Sequence, residues 1–129
     1  MNTSNLNLSA ALNADLHCHS VVSDGTLTPQ ELAARAQRNH VALWSLTDHD
    51  EVGGIAAARE AALALGLPFL AWVEISVSWQ DKTIHIVGLG IDEQHPELIA
   101  GLQKTRGGRE ARAREIARQL EVAGIPNTF

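Results

Sequence analysis

Six side chains of the types that bind divalent metals stand in short motifs along the first 85 residues of the chain. They are His17, His19, Asp24, His49, Glu74 and His85. His17 and His19 are one residue apart, so on a strand both imidazoles project to the same side. Asp24 follows in a Ser-Asp-Gly turn, where Gly25 lets the carboxylate fold back. Imidazole and carboxylate groups are ligands for zinc, iron and manganese, so these residues predict a metal site.

Each candidate also has an ordinary structural interpretation. A single histidine such as His49 or His85 is more often hydrogen-bonded within the fold than bound to a metal. The presence of several such residues at successive strand ends favours a metal-binding role. Burial of imidazoles and carboxylates costs free energy unless a shared cation compensates them. His40 lies near a predicted helix end and His95 precedes a proline, and both are expected to be structural or exposed.

The elements that must position these side chains follow from the hydrophobic pattern. Strands are predicted over residues 14–19, 41–47 and 69–73, and helices over 32–38 and 55–65. A helix start with a capping box is predicted from Thr28, Pro29 and Glu31. A helix end is predicted at Gly66. Alternating strands and helices favour a parallel sheet with outer helices, in which the carboxyl ends of the strands meet where ligands bind.

The pattern changes after the third strand. Residues 74–79 and 83–89 alternate in polarity, and the loop 80–82 between them predicts an antiparallel hairpin. Pro96 predicts the start of another helix, which Gly107-Gly108 interrupts and residues 109–122 resume.

Some residues have two interpretations that the sequence leaves open. Cys18 is expected to be a small buried residue rather than a nucleophile. Three arginines repeat every three residues along the last helix: Arg106, Arg109 and Arg112. They could form a phosphate-binding strip, but a solvated helix face is favoured, with Glu110 and Arg114 as an ordinary ion pair. The tryptophans are expected to fill the core: Trp44, Trp72 and Trp79.

Composition narrows the class of protein. The 129 residues, 45% of them hydrophobic, fit one ordinary domain. A net charge of -5 argues against a broad surface for long nucleic acid. A single cysteine cannot form an internal disulfide, and no leader pattern or apolar stretch of about 18 residues is present. These features predict a cytoplasmic protein without membrane attachment.

Four motifs occur in order between residues 14 and 90: DLHCHSVVSDGTLTP, LTDHD, VEIS and HIVGLG. With them the chain resembles the PHP (polymerase and histidinol phosphatase) family, and within it the stand-alone phosphoesterases that act on small nucleotides such as 3',5'-nucleoside bisphosphates. The resemblance implies an α/β fold: the first half of a distorted (β/α)7 barrel with parallel strands and one antiparallel hairpin. A polar tail would span residues 1–13 and a partial PHP domain 14–129, with metal motifs in 14–90 and a helical segment in 96–123.

The resemblance also implies how ligands would be shared among up to three manganese, iron or zinc ions. His17, His19 and Glu74 would hold one ion. Glu74 would bridge to a second ion with His85, and Asp24 and His49 would hold a third. Such ions activate water for attack on a phosphate, so no protein nucleophile is required.

The chain also departs from the family pattern. Relatives carry later IAHP-like and SDxH-like motifs that complete the metal shells, and neither occurs in these residues. A barrel of this kind needs about 250 residues. Each ion would therefore lack at least one protein ligand, which argues against efficient turnover by this chain alone. Trp72 replaces an expected glycine two residues before Glu74 and would place its bulk near the metals.

Three functions are compatible with this sequence. The first is a metal-dependent phosphatase that acts on a phosphate monoester of a small nucleotide. The alternative is a catalytically inactive metal-binding or interaction module, whose exposed sheet edge would be covered by a second copy. The third is a polymerase-associated PHP exonuclease module, which the acidic charge disfavours. A small phosphorylated nucleotide is the expected partner.

Overall fold

The computed structural model describes residues 12–80 and 82–129. Most of the predicted polar tail, residues 1–11, lies outside the described residues, as does Asp81 of the hairpin loop. The elements in chain order are β1 (Ala14–Asp15), α1 (Pro29–Arg38), β2 (Leu43–Leu46), α2 (Ile55–Ala64), β3 (Phe69–Trp79), β4 (Lys82–Leu89) and α3 (Pro96–Val122).

The sheet has the order β1-β2-β3-β4. The first three strands are parallel, and β3 pairs with β4 in antiparallel orientation. Helices α1 and α2 connect the parallel strands, as expected for successive βα units. This mixed sheet of four strands, curled as half of a barrel, confirms the predicted fold class.

The first strand is shorter than the predicted 14–19. Regular pairing with β2 stops at Asp15, and the chain returns to the end of β2 where Thr47 donates its backbone N–H to the carbonyl of Cys18, at 2.9 Å. His17 and His19 therefore lie on an irregular continuation of β1 rather than on a strand.

Both helix signals are confirmed. Thr28 accepts a hydrogen bond from the backbone N–H of Glu31 and donates its own N–H to the Glu31 carboxylate, which completes a capping box. Helix α2 ends at Ala64, and Gly66 follows with a φ of 65°, a left-handed conformation that suits glycine.

The hairpin is longer and tighter than predicted. The predicted strands 69–73 and 74–79 form one continuous strand, β3, of 11 residues. Trp79 pairs with Lys82, so Lys82 belongs to β4 and not to the predicted loop 80–82. Because β3 is continuous, its first three residues pair with β2 in the parallel sheet and its remaining eight pair with β4 in the hairpin.

The predicted break in the last helix is wrong, because α3 runs unbroken for 27 residues. Side-chain atoms added at Gly107 and Gly108 would meet nothing within 4 Å, so both glycines are at open positions. Glycine at such a site costs about 1 kcal/mol relative to alanine, which contacts on either side can offset. None of the helices in the described part of the chain is both long enough and apolar enough to span a bilayer.

The core lies between the sheet and helices α1 and α2. Its buried members are Ala33, Ala36, Trp44, Leu46, Ala58, Ala62 and Leu67. Trp44 is fully buried, as predicted. Trp72 is only half-buried, and Trp79 is 60% exposed, so the predicted core role is wrong for Trp79, which ends β3 at the hairpin tip.

Cys18 packs against this core, and its surroundings predict an unreactive thiol. The Sγ atom donates to the carbonyl of Ser45 and accepts from Nε1 of Trp44. Burial raises the pKa of Cys18 from 9.0 to about 11. We expect iodoacetamide to alkylate the folded chain at pH 8 about 100-fold more slowly than the urea-unfolded chain, because the thiolate reacts. Equal rates would contradict the burial of Cys18.

Candidate metal centre

The end of β2 and the middle of β3 bring His49 beside Glu74. Asp50 donates its N–H to the carbonyl of Glu74 at 2.8 Å, and Glu74 donates to the carbonyl of Asp48 at 3.2 Å. An isolated bridge joins His49 to Glu74 between these bonds. The polar segment after β2 thus continues the parallel pairing and fixes the position of the His49 ring.

His17, His19 and Glu74 form the first group of ligand-type atoms. Nε2 of His17 lies 2.8 Å from Oε2 of Glu74, and Nε2 of His19 lies 3.3 Å from the same oxygen. The two imidazole nitrogens are 2.9 Å apart. Two nitrogens and one oxygen so close together can share one cation.

The second group joins His49 and His85 to the same carboxylate. Nδ1 of His49 is 3.9 Å from Oε2 of Glu74, and Nδ1 of His85 is 3.4 Å from Oε1. The two oxygens of Glu74 therefore face different histidines. A carboxylate in this position can bridge two ions.

The third group contains His19, Asp24 and His49. The carboxylate of Asp24 lies 3.5 Å from Nδ1 of His19 and 3.7 Å from Nε2 of His49. The rings of His19 and His49 stack with their centroids 4.5 Å apart. Within each of the three groups, one atom from every residue lies within 4.8 Å of the others. All six candidate side chains thus meet, and His40 and His95 lie apart and exposed, as expected.

The chemistry of these groups fits a cation. Among the described residues, Nδ1 of His19 and Nδ1 of His49 are buried without a hydrogen-bond partner. Burial, together with the neighbouring His49 ring, lowers the pKa of His19, which favours the neutral imidazole that binds metals. The Glu74 side chain is only 8% exposed, and a buried carboxylate among imidazoles favours a positive charge.

Trp72 does not keep the ligand atoms apart. It precedes Glu74 by two residues on β3 and so lies on the same side of the strand. The groups that include Glu74 nevertheless remain compact. Nε1 of Trp72 is buried and has no partner among the residues that the structure describes.

Asp48 anchors the loop that carries Asp24. Its buried carboxylate accepts hydrogen bonds from the Ser20 N–H at 2.7 Å, the Ser20 hydroxyl at 2.7 Å and the Ser23 hydroxyl at 2.6 Å. We did not identify this role from the sequence. The sequence nevertheless contains a signal for it. Side chains alternate along an extended backbone, so Asp48 and Asp50 point to the opposite side from His49.

Gly25 closes this loop by close approach to the backbone. A Cβ at this position would lie 2.0 Å from the carbonyl oxygen of His19 and 2.9 Å from the carbonyl carbon of Ser20. The N–H of Gly25 donates to the carbonyl of Ser20 at 2.8 Å. Lack of a side chain, rather than a left-handed φ, is what the turn requires.

Asp50 anchors α3 to the strand ends. Its fully buried carboxylate accepts hydrogen bonds from the Ser76 N–H at 2.6 Å and from the Arg109 guanidinium. Arg106 donates to the carbonyl of Asp50 and pairs with Glu51 at 3.0 Å. The interpretation of these arginines as a solvated face is thus wrong for Arg106 and Arg109, whereas the exposed ion pair of Glu110 and Arg114 is confirmed.

Most of the chain matches one known protein family. Residues 15–121 match the PHP domain. The match contains all six side chains of the candidate metal centre and most of α3.

Curated relatives include a 3',5'-nucleoside bisphosphate phosphatase from Chromobacterium violaceum, which is 55% identical over 117 residues, or 91% of this chain. A 5'-3' exoribonuclease from Haemophilus influenzae is 49% identical over 115 residues, or 89% of the chain. The matched part is 41% of the first relative and 42% of the second. The chain thus corresponds to less than half the length of either protein.

Solved structures share the fold. An amidohydrolase from Chromobacterium violaceum, determined with sulfate and no metal, matches 89% of this chain and 40% of its own, with a TM-score of 0.82 and 55% identity. A metal-dependent phosphoesterase from Bifidobacterium adolescentis matches 87% of this chain and 39% of its own, with a TM-score of 0.78 and 31% identity.

Proposed function

Because this chain belongs to the PHP domain family, we propose that it is the metal-binding part of a phosphoesterase that removes a phosphate from a small nucleotide. The meeting of six ligand-type side chains around Glu74 is the observation that carries the proposal. The names of the phosphatase from Chromobacterium violaceum and of the phosphoesterase from Bifidobacterium adolescentis support it.

We assign the metal-holding roles to the three groups described above. Glu74 is shared by two groups, and His19 and His49 also belong to two groups each. Manganese, iron and zinc all accept imidazole and carboxylate ligands. Such ions make water nucleophilic near neutral pH and stabilise charge on phosphoryl oxygens.

The side chains of this centre have distinct tasks in the proposed reaction. Glu74 and the histidines would hold the ions that offset the negative charge of the phosphate, and no serine or cysteine is required as a nucleophile. Asp48 holds the 19–25 loop in place, so the Asp24 carboxylate stays beside His19 and His49. Fixed positions matter because displacement of a reacting group by about 1 Å can cost roughly 100-fold in rate.

Release of inorganic phosphate from adenosine 3',5'-bisphosphate tests this function. With Mn²⁺ present, we expect slow release that rises with metal concentration and that Glu74→Gln removes, because the substitution takes away the shared carboxylate. Glu60→Gln is the matched control, since Glu60 is exposed on α2 and belongs to none of the three groups. Absence of release from a chain that binds Mn²⁺ would overturn the catalytic proposal in favour of the inactive metal-binding module.

A second candidate function is removal of nucleotides from the 5' end of RNA, which the name of the Haemophilus influenzae relative supports. A 5'-phosphorylated oligoribonucleotide in the same assay separates the two functions. Mononucleotide products without phosphate release would favour the exoribonuclease.

A further inference from the structure

Asp50 links the segment after β2 to β3, next to two candidate ligands. Its N–H donates to the carbonyl of Glu74 at 2.8 Å, and its carboxylate accepts the N–H of Ser76 at 2.6 Å. His49 directly precedes Asp50, and its Nδ1 lies 3.9 Å from Oε2 of Glu74. The bonds made by Asp50 therefore help to determine the distance between these two ligand-type groups.

The conformation of Asp50 depends on its partners. Its φ is 53°, in the left-handed region that residues other than glycine adopt less readily, although aspartate tolerates it better than most. Its side chain is fully buried. A left-handed backbone and a buried charge persist only where the surrounding contacts hold them.

Arg109 supplies the positive charge that compensates Asp50. Its guanidinium donates to the Asp50 carboxylate. In residues 12–80 and 82–129, Arg109 is the only cationic side chain within ion-pair distance of that carboxylate. Removal of one partner from a buried pair leaves an uncompensated charge, which is strongly destabilising. We therefore expect the contacts of Asp50 to loosen when Arg109 is replaced.

Arg109 also contacts the strand that faces His85. Its guanidinium donates to Oγ of Ser76 at 3.0 Å, and that oxygen lies 3.5 Å from Nδ1 of His85. Ser76 and His85 are partners in the β3–β4 ladder. Through one intervening residue, Arg109 thus reaches every member of the second ligand group: His49, Glu74 and His85.

We propose that Arg109 is a positioning residue of the metal centre, which through Asp50 and Ser76 holds the second ligand group at the spacing that lets its members share an ion. This inference rests on the proposed function, because it assumes that the group binds a metal. It gives α3 a role in the centre, although none of the three groups includes a residue of that helix.

The direction of the effect distinguishes positioning from simple electrostatics. Arg109 carries a positive charge close to a proposed cation site, so Coulomb's law alone predicts tighter metal binding when that charge is removed. Loss of positioning acts in the opposite direction, because loss of a partner outside the metal shell typically costs 10- to 100-fold in metal affinity. Weaker binding after replacement of Arg109 is therefore the result that only positioning explains.

Titration calorimetry with Mn²⁺ and the visible absorption of bound Co²⁺ test this role on the full chain. We expect Arg109→Gln to weaken Mn²⁺ binding by at least about 10-fold. At saturation its Co²⁺ spectrum should differ from that of the parent, because the spectrum depends on the arrangement of the ligands. Arg109→Lys should bind with intermediate affinity, since lysine restores the charge but not the planar group that contacts both Asp50 and Ser76.

A double-mutant cycle shows whether Arg109 acts through Asp50. Asparagine at position 50 keeps an oxygen for the Ser76 N–H and removes the charge that Arg109 compensates. In the Asp50→Asn background, Arg109→Gln should therefore cost only about 3-fold or less in Mn²⁺ affinity, because coupled residues have non-additive effects. The same loss in both backgrounds would overturn the proposal.

The control for loss of one positive charge on α3 is Arg118→Gln, since Arg118 pairs with Glu115 at an exposed position, and it should match the parent. Urea unfolding of the metal-free variants defines conditions in which each is folded, and the titrations are made there. Unchanged or tighter Mn²⁺ binding by Arg109→Gln would overturn the positioning role and leave the metal centre intact. If glutamine prevents folding, parent-like affinity and spectrum in Arg109→Lys would overturn it. Failure of the parent to bind Mn²⁺ would overturn the proposed function as well.

Discussion

Replacement of Glu74 by glutamine is expected to lower the affinity of the chain for Mn²⁺ by at least about 100-fold. Loss of a partner outside the metal shell already costs 10- to 100-fold in affinity, and Glu74 contributes directly to two of the three groups. Glutamine keeps the size of the side chain and removes its charge. Isothermal titration of the parent chain and the variant with Mn²⁺ measures the difference.

Two further variants sharpen this experiment. A His17→Ala, His19→Ala double substitution removes both imidazoles of the first group and should also weaken binding strongly. Glu60→Gln removes one negative charge from an exposed helix position and should leave the titration unchanged. Parent-like binding by both the Glu74 and the double-histidine variants would contradict the metal centre.

Replacement of Gly25 by alanine is expected to destabilise the fold by about 3 kcal/mol or more. The new methyl group would occupy the space of the His19 carbonyl oxygen, and backbone atoms cannot move aside as a flexible side chain can. The displaced backbone includes His19, so Mn²⁺ affinity should fall as well. Urea unfolding followed by circular dichroism measures the stability, and titration of the remaining folded protein measures the affinity.

Gly101→Ala is the matched control for this substitution. A methyl group at Gly101 meets nothing within 4 Å, and the residue lies inside α3. We expect it to stabilise the chain by up to about 1 kcal/mol, because alanine favours a helix over glycine. If Gly25→Ala unfolds at the same urea concentration as the parent, the close approach to His19 does not exist in solution.

Local signals in the sequence predicted much of the fold and identified the residues that meet. Two examples are the capping box at Thr28 and Glu31 and the glycine at position 66. Each depends on only three or four neighbouring residues, so it can be recognised without knowledge of the rest of the fold. The candidate ligands were found for a related reason. Histidines and acids at successive strand ends are uncommon without a shared task, and parallel strands bring their ends together.

Other features depended on contacts between distant parts of the chain. Gly107-Gly108 has the local signature of a helix break, yet Arg106 and Arg109 on either side are fastened to the segment after β2. Their partner Asp50 is also held by the extended β3, where Ser76 donates its backbone N–H to the Asp50 carboxylate at 2.6 Å. Likewise β1 ends early because its continuation pairs with Thr47 rather than with a full strand. Periodicity alone carries no information on such pairings.

The Asp48-His49-Asp50 segment contains two residues that hold neighbouring segments in place and, between them, one candidate metal ligand. The two aspartates are bound to the 19–25 loop and to α3, while the histidine between them lies among four of the other five candidate ligands, all except His17. A substitution at His49 can therefore alter which ion is preferred without loosening either attachment. Over evolutionary time, a scaffold arranged in this way can change its metal while its backbone stays the same.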